Sequence, residues 1–283
     1  MKILIIGASS FIGFRLFKFF KENILYEVVG TYFQNKKDDS FLKCDVTNKE
    51  DIKNILEVVQ PDVILWVAGS KNLKECEASL EFAKQINTVP LQNCISYLEK
   101  IQSKSHLIFF STDYIFDGWK GNFKDIDIPN PQTNYGLSNY LSEQIIHSSD
   151  IKNSIIRTSA VMGRGGTFFD WLLLALETEK TIEMFDDIYF SPTPIKFLIE
   201  NIVNIIDQSL YGVFNICGSE RLTRYEFASI VKTISTKFKA NLVQSVGVNT
   251  MQVFQKDLSM VQSKIVLNNQ TLFEYLKEEV LHD

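Results

Sequence analysis

The sequence predicts an α/β fold, a doubly wound parallel sheet with a smaller C-terminal lobe, and three observations carry that prediction. Strand-sized apolar runs alternate with helix-period segments as far as Arg157, with no hairpin signal between them. The first of those strands stops abruptly at Gly7 and passes through small residues to Gly13, where a helical pattern starts. Beyond Ser159 the alternation loosens, which marks off a second part of the chain.

In order, Lys2–Ile6 is the first strand and Phe11–Glu22 its helix, with Phe11, Ile12, Leu16 and Phe19/Phe20 at helical spacing. Glu27–Tyr32 is a β-branched second strand, followed by a polar loop (Gln34–Ser40) and a short third strand, Phe41–Asp45. Thr47-Asn-Lys-Glu50 reads as a capping box for a helix that runs to Val59 and is stopped by Pro61. Asp62–Ala68 is apolar throughout its interior, as a central parallel strand should be. Leu80–Ile101 is a long helical stretch that Pro90 should kink or break.

His106–Ser111 is the fifth strand, Gly118–Gln132 a Gly/Pro/Asn-rich loop, Asn134–His147 a helix and Ser154–Arg157 the sixth strand. Gly163-Arg-Gly-Gly166 is a turn, Thr167–Leu176 a helix, Asp186–Pro194 a loop, Ile195–Ile206 an apolar-faced helix and Gly212–Ile216 another strand. Thr223-Arg-Tyr-Glu226 is a second capping box, opening a helix to about Phe238, and Leu272–Leu281 is an amphipathic segment suited to core or interface. The expected partition is a sheet domain of residues 1–160, with 186–216 returning to it, and a smaller lobe of 161–185 and 217–283.

Composition narrows the function classes. With 283 residues, 45% apolar and 12% aromatic, the chain can bury a sizeable core. Its net charge of −5, with no long basic run, argues against nucleic acid as a partner. No apolar stretch is long enough to cross a bilayer, and the N-terminus reads as a strand rather than a signal peptide. Cys44, Cys76, Cys94 and Cys217 lack C-x-x-C spacing, and His106, His147 and His282 lie far apart in sequence. Reduced core thiols, a cytoplasmic protein and no structural zinc are the expectation.

A buried strand feeding a glycine turn onto a helix N-terminus suits a phosphate, because unpaired amides and the helix dipole converge there. Gly7-x-x-Ser10-x-x-Gly13 is nearly a dinucleotide fingerprint, with Ser10 where the middle glycine belongs. The candidate cofactor residues of this turn are Gly7, Ser9, Ser10, Phe11, Ile12 and Gly13. The Ser10 hydroxyl is able to donate to a phosphate, while its Cβ occupies space a pyrophosphate would approach.

Further motifs follow: Ser111-Thr-Asp-Tyr-Ile-Phe-Asp-Gly118, Tyr135-Gly-Leu-Ser-Asn139, Arg157-Thr-Ser159, Ser191-Pro-Thr193 and Gly212-Val-Phe-Asn-Ile-Cys-Gly218. In this order, on these elements, the chain resembles extended short-chain dehydrogenases/reductases, whose core is a Rossmann-type sheet. The nearest match is the dTDP-4-dehydrorhamnose reductase family. The resemblance implies NAD(P)H-dependent reduction of a 4-keto-6-deoxy nucleotide sugar in cell-surface polysaccharide synthesis, and often a homodimer. It also implies that a hydroxyl, here Thr112 (or Ser111 or Asp113 in a shifted register), holds the keto oxygen, and that Tyr135 supplies the proton.

The same resemblance expects a lysine one helical turn after the tyrosine, and that position holds Asn139. An ammonium ~4–5 Å from the phenol, at an effective dielectric of ~20, would lower the tyrosine pKa by ~2–3 units. Asn139 supplies no charge, although its amide can hydrogen-bond a ribose hydroxyl. Reduction needs the tyrosine protonated at the outset, so losing the lysine weakens positioning without forbidding that direction. Lys71 and Lys74, after the fourth strand, stand as alternative sources of charge. A catalytically silent or regulatory binding protein on the same scaffold is the alternative reading.

At the cofactor's adenosine end the second strand finishes Gly30-Thr31-Tyr32, with no acid for a ribose 2′-hydroxyl and Lys36/Lys37 just beyond. NADP preference fits this pattern; a solvated loop fits it too. The resemblance adds Asp45 and Val46 at the adenine, and Ala68 and Gly69 after the fourth strand; Trp66 reads as core. On the substrate side it points to Asp113, Arg157, Arg164 and Phe168, with Asp187–Thr193 nearby. Arg164, flanked by glycines, is the candidate diphosphate contact, whereas Phe168, Phe169 and Trp171 are equally ordinary helix-core residues.

Overall fold

The computed structural model describes residues 1–247 and 255–281, so His282 lies outside the described residues. The first half of the chain alternates as expected: β1 (Lys2–Ile6), α1 (Phe11–Glu22), β2 (Glu27–Tyr32), β3 (Leu42–Lys43), α2 (Lys49–Val59), β4 (Val63–Trp66), α3 (Leu73–Ala78), α4 (Leu80–Asn87), α5 (Val89–Lys100), β5 (His106–Thr112), α6 (Asn134–His147) and β6 (Asn153–Thr158). The second half adds β7 (Val161–Met162), α7 (Thr167–Thr178), β8 (Thr181–Phe185), β9 (Tyr189–Phe190), β10 (Thr193–Pro194), α8 (Ile195–Asp207), β11 (Gly212–Asn215), β12 (Leu222–Thr223), α9 (Arg224–Ile234), β13 (Asn241–Ser245) and α10 (Leu272–Leu281).

Seven strands form one sheet in the order β11-β6-β5-β4-β1-β2-β3. The β1–β2, β1–β4, β2–β3 and β4–β5 pairings are all parallel. Chain order therefore reverses between β1 and β4, and the carboxyl ends of β1, β4 and β5 share one edge, where such sheets bind ligand. The apolar runs of β1 and β4 are almost wholly buried, as strands covered on both faces must be. Leu4, Ile6, Ile64, Trp66, Leu107 and Phe109 share a core with Ile52, Leu56, Leu91 and Leu98 of α2 and α5. Trp66 is core, as its sequence context suggested.

The chain divides into two compact units: residues 1–115, 131–156 and 205–213, and residues 116–130, 157–204 and 214–283. This partition differs from the expected one. The loop 116–130, residues 157–160, and most of 186–216 cluster with the second unit. Its core joins Phe169, Leu172 and Leu176 of α7 to Phe227 and Val231 of α9 and to Leu276 and Val280 of α10. Small two-stranded sheets complete it: β7 with β10, β9 with β12, and β8 with β13.

Several local expectations change. Asn48, not Thr47, caps α2, because Thr47 is held in a turn by the Asp45 carboxylate. The long helical stretch is two helices that meet at Thr88, and Pro90 sits in the first turn of α5, where no amide is needed. Residues 186–194 hold two short strands rather than loop alone, and α9 ends at Ile234, before Phe238. The second capping box forms as expected: the Thr223 hydroxyl accepts from the Glu226 amide, while the Glu226 carboxylate accepts from that of Thr223. All four cysteines are free and buried. Burial pushes the Cys44 and Cys94 thiols up to about 12, far from reactive. Among the described residues no helix is long and apolar enough to cross a membrane.

Candidate active site and cofactor turn

The glycine turn is built as its residues require. Gly7 has φ +90°, and a Cβ there would lie 2.8 Å from the Ala68 amide nitrogen, so this turn presses against the end of β4. At Gly13 a Cβ would collide with the Gly7 carbonyl oxygen. Ser10 has φ −69° and ψ 170°, a conformation open to any residue, and caps α1 by accepting the Gly13 amide at 3.1 Å. That bond leaves the hydroxyl proton able to donate. The amides of Phe11 and Ile12 have no acceptor among the described residues. An exposed serine hydroxyl and two open amides at a helix N-terminus fit a dinucleotide pyrophosphate.

Other expected cofactor residues divide into neighbours of this turn and supports beneath it. The Thr31 hydroxyl accepts from the Gly7 amide at 2.9 Å and donates to the Ile5 carbonyl, and the residue is buried. It shapes the turn and is not available to a ribose. Asp45 folds its own turn through Thr47, and Val46 packs on the sheet core. Lys36 is paired with Asp39 at 3.5 Å. Gly69 abuts Asn87, whose side chain bonds both the amide and the carbonyl of Ser70. Through its Nδ2, Asn87 also reaches Ser138 on α6, and the Ser142 hydroxyl donates to the Asn87 carbonyl. The loop after β4 is thus tied to the helix that carries Tyr135.

Thr112, at the carboxyl end of β5, places its side chain near the Tyr135 phenol, whose pKa it lowers. Ser111 turns its hydroxyl to the other side, donating to the buried Glu143 carboxylate at 2.6 Å. The Thr112 hydroxyl donates to Asp113 Oδ1 at 3.1 Å. Burial holds the Tyr135 phenol well above the usual tyrosine range; the neighbouring Thr112 side chain opposes that shift, and the Asp113 carboxylate adds to it. Tyr114 packs edge-on against the ring, centroids 5.6 Å apart. Asn139 is buried, and its Nδ2 donates to the Tyr135 carbonyl at 2.9 Å, one turn back along its own helix. The amide at the usual lysine position is spent on the backbone. Lys71 and Lys74 are exposed, in the loop before α3 and in its first turn.

Sequence reasoning missed Glu77. The last turn of α3 docks on the N-terminus of α6: Asn134 donates to the Cys76 and Glu77 carbonyls, and the Tyr135 amide donates to Glu77 Oε1 at 3.2 Å. Thr133 caps the same helix through the Gly136 amide. No local motif marks Glu77; only the fold brings it to residue 135.

Three expected substrate residues lie in the second unit and are committed elsewhere. Arg157 is buried, donates to the Asp125 carbonyl at 2.9 Å and stands over the Phe116 ring. Arg164 donates to the Glu279 and Val280 carbonyls at 2.9 and 3.1 Å, and its amide to the Glu279 carboxylate. It therefore neutralises the C-terminal end of α10 rather than standing open to a diphosphate. Phe168 packs beside Trp171 and Phe227 with the Arg224 guanidinium over its ring, the core alternative.

Residues 1–256 match the family described as the RmlD substrate binding domain. The chain belongs to that family. Its members are extended short-chain dehydrogenase/reductase-like proteins, and curated relatives place it among them. It is 29% identical over 233 residues to the spore coat polysaccharide biosynthesis protein SpsK of Bacillus subtilis, covering 81% of this chain and 78% of that one. It is 28% identical to dTDP-4-dehydrorhamnose reductase of Aggregatibacter actinomycetemcomitans, over 80% and 76% of the two chains. It is also 26% identical to methionine adenosyltransferase 2 subunit beta of Bos taurus, over 81% and 71%. Among solved structures, a hypothetical dTDP-4-dehydrorhamnose reductase from Sulfolobus tokodaii superposes with a TM-score of 0.85 at 30% identity, over 96% of both chains. The fold is shared as well with dTDP-4-dehydrorhamnose reductase of Bacillus anthracis in complex with NADP, at a TM-score of 0.87, 22% identity and 100% and 99% coverage.

Proposed function

We propose that this protein is an NAD(P)H-dependent reductase of a 4-keto-6-deoxy nucleotide sugar, serving cell-surface polysaccharide synthesis. The observation that carries the reading is the Thr112–Tyr135 pair: a phenol kept protonated beside a hydroxyl at the carboxyl end of β5. The open amides of Phe11 and Ile12, with the Ser10 hydroxyl, would hold the pyrophosphate of the coenzyme. When bound, that coenzyme supplies the hydride that turns the C4 carbonyl into a secondary alcohol.

The protein's part is to orient the carbonyl and complete the proton balance. Thr112, its hydroxyl turned from Asp113 Oδ1, donates a hydrogen bond to the keto oxygen, and Tyr135 gives that oxygen its proton as negative charge develops there. Solvent then reprotonates the phenolate. A raised phenol pKa suits this direction, because the acid stays loaded at neutral pH. The test is NADPH oxidation with a 4-keto-6-deoxy nucleotide sugar and its loss in Tyr135→Phe. Undiminished turnover in that variant would remove Tyr135 as the acid.

Asn139 supports a second reading, a binding or regulatory protein on the same scaffold. Its amide is bonded to the Tyr135 carbonyl, so no cation of that helix turn organises the coenzyme. Relatives named as a subunit of methionine adenosyltransferase are in keeping with such a role. Coenzyme binding without any turnover of nucleotide sugars would favour it.

A further inference from the structure

The helix that carries Tyr135, α6, buries a largely polar face: Ser138, Asn139, Ser142 and Glu143, with Ile146 as the apolar anchor on its last turn. Ile146 shares the sheet core with Leu107 and Phe109 of β5. Side chains two apart on a strand share a face, so Ser111 continues the Leu107–Phe109 side toward the carboxyl end of β5. There the contact changes from apolar to polar. The Ser111 hydroxyl donates to Glu143 Oε1 at 2.6 Å, and Glu143 is wholly buried.

Apolar burial has no direction and tolerates small slides and rotations of a helix. A short hydrogen bond to a carboxylate tolerates neither. Burying a carboxylate is costly, and an apolar pair would fill the same space without that cost. Ser111 immediately precedes Thr112 on β5, and Glu143 lies about two turns beyond Tyr135 on α6. The bond therefore joins the two elements that carry the hydroxyl and the phenol. Ser138 and Ser142 hold the same helix to Thr88 and Asn87, on its other side contacts.

We infer that Ser111 and Glu143 are positioning residues for the proton transfer: their bond locks α6 on β5 and so fixes the Tyr135 phenol relative to the Thr112 hydroxyl. This rests on the reductase reading above and adds to it two residues that act through the catalytic pair. A small misplacement of a reacting group is felt in turnover more than in binding.

The experiment follows NADPH oxidation with a 4-keto-6-deoxy nucleotide sugar, in H2O and D2O. It compares wild type, Ser111→Ala, Glu143→Ala, Glu143→Gln and the double alanine variant, with circular dichroism to check the fold. Each alanine should lower kcat by about tenfold, leave KM for the sugar and NADPH binding unchanged, and enlarge the D2O effect as proton transfer becomes limiting. The double variant should be no worse than the weaker single one, because both remove the same bond. Glu143→Gln, whose amide oxygen still accepts from Ser111, should recover most of the kcat that Glu143→Ala loses. A loss in Ser111→Ala that Glu143→Ala does not share would make Ser111 the hydroxyl that holds the keto oxygen, and would overturn the assignment. Additive losses, a rise in KM alone, an unchanged D2O effect, or Glu143→Gln as poor as Glu143→Ala would overturn it too, while the reductase reading stands. If Glu143→Ala does not fold, full kcat in Ser111→Ala or a tenfold loss in Glu143→Gln overturns it. Wild-type protein that turns over no such sugar would defeat the reductase reading and this inference with it.

Discussion

In the proposed mechanism Asn139 sets how Tyr135 works, and its geometry yields a testable pH profile. With no ammonium one turn along and burial holding the phenol up, the acid remains protonated well past neutrality. The reductive kcat should therefore stay level from about pH 6 to 9, where an ordinary lysine-assisted tyrosine would already be ionising. Asn139→Lys removes the bond to the Tyr135 carbonyl and adds a charge worth about 2–3 pKa units. Its rate near neutrality should rise, and a fall on the alkaline side should appear that wild type lacks. Identical profiles for the two proteins would mean that residue 139 does not face the phenol. At the glycine turn, Ser10 is explained by its capping role. Ser10→Ala should cost about 1 kcal/mol in urea unfolding and Ser10→Gly only a few tenths. Gly13→Ala, whose Cβ would strike the Gly7 carbonyl, should cost about 1–3 kcal/mol and distort the turn.

At the level of elements, the docking of α3 on α6 sets where Tyr135 stands. Glu77→Ala removes the acceptor of the Tyr135 amide while Thr133 still caps the helix. We expect a drop in kcat with little change in KM for the sugar nucleotide, and restoration by Glu77→Gln, whose amide oxygen also accepts. A change in KM alone would place Glu77 in binding instead. The same scale shows what the sequence made legible. Strands such as Lys2–Ile6 and Val63–Trp66 declare themselves through continuous apolar runs, and Thr223/Glu226 through a local cap, because those signals are carried by neighbouring residues. Tyr135 and Thr112 were recognisable by motif, and the fold brings them together. Arg164 was misread because its partners, the end carbonyls of α10, lie more than a hundred residues away, and no local pattern announces them. The break between α4 and α5 was placed by Pro90, but the extra helix α3 is only six residues, too short for a periodic signal.

For the whole molecule, the consequence of burial is an acid limb with two separable parts. His106 begins β5 on the edge away from the candidate active site, buried, with its Nε2 2.7 Å from the Ser154 hydroxyl and its ring against Tyr211. Ser154 donates its own proton to the Leu210 carbonyl, so His106 supplies the proton in their bond from Nε2. Burial, with Lys152 nearby, lowers its pKa from 6.5 to about 4. Between those values the unfolded chain binds the extra proton and the folded one does not, so stability falls as pH drops from 6.5 toward 4. The loss should approach about 3 kcal/mol and then level off. Below that window the fall belongs to carboxylates such as Asp38, held well below its usual range by Lys21 and Ser40. Urea unfolding of wild type and His106→Gln across pH 7 to 4 separates the two parts. The variant keeps a hydrogen-bond donor for Ser154 but cannot titrate, so its stability should be nearly flat where wild type slopes. A slope that survives the substitution would assign the upper part of the acid limb to other groups.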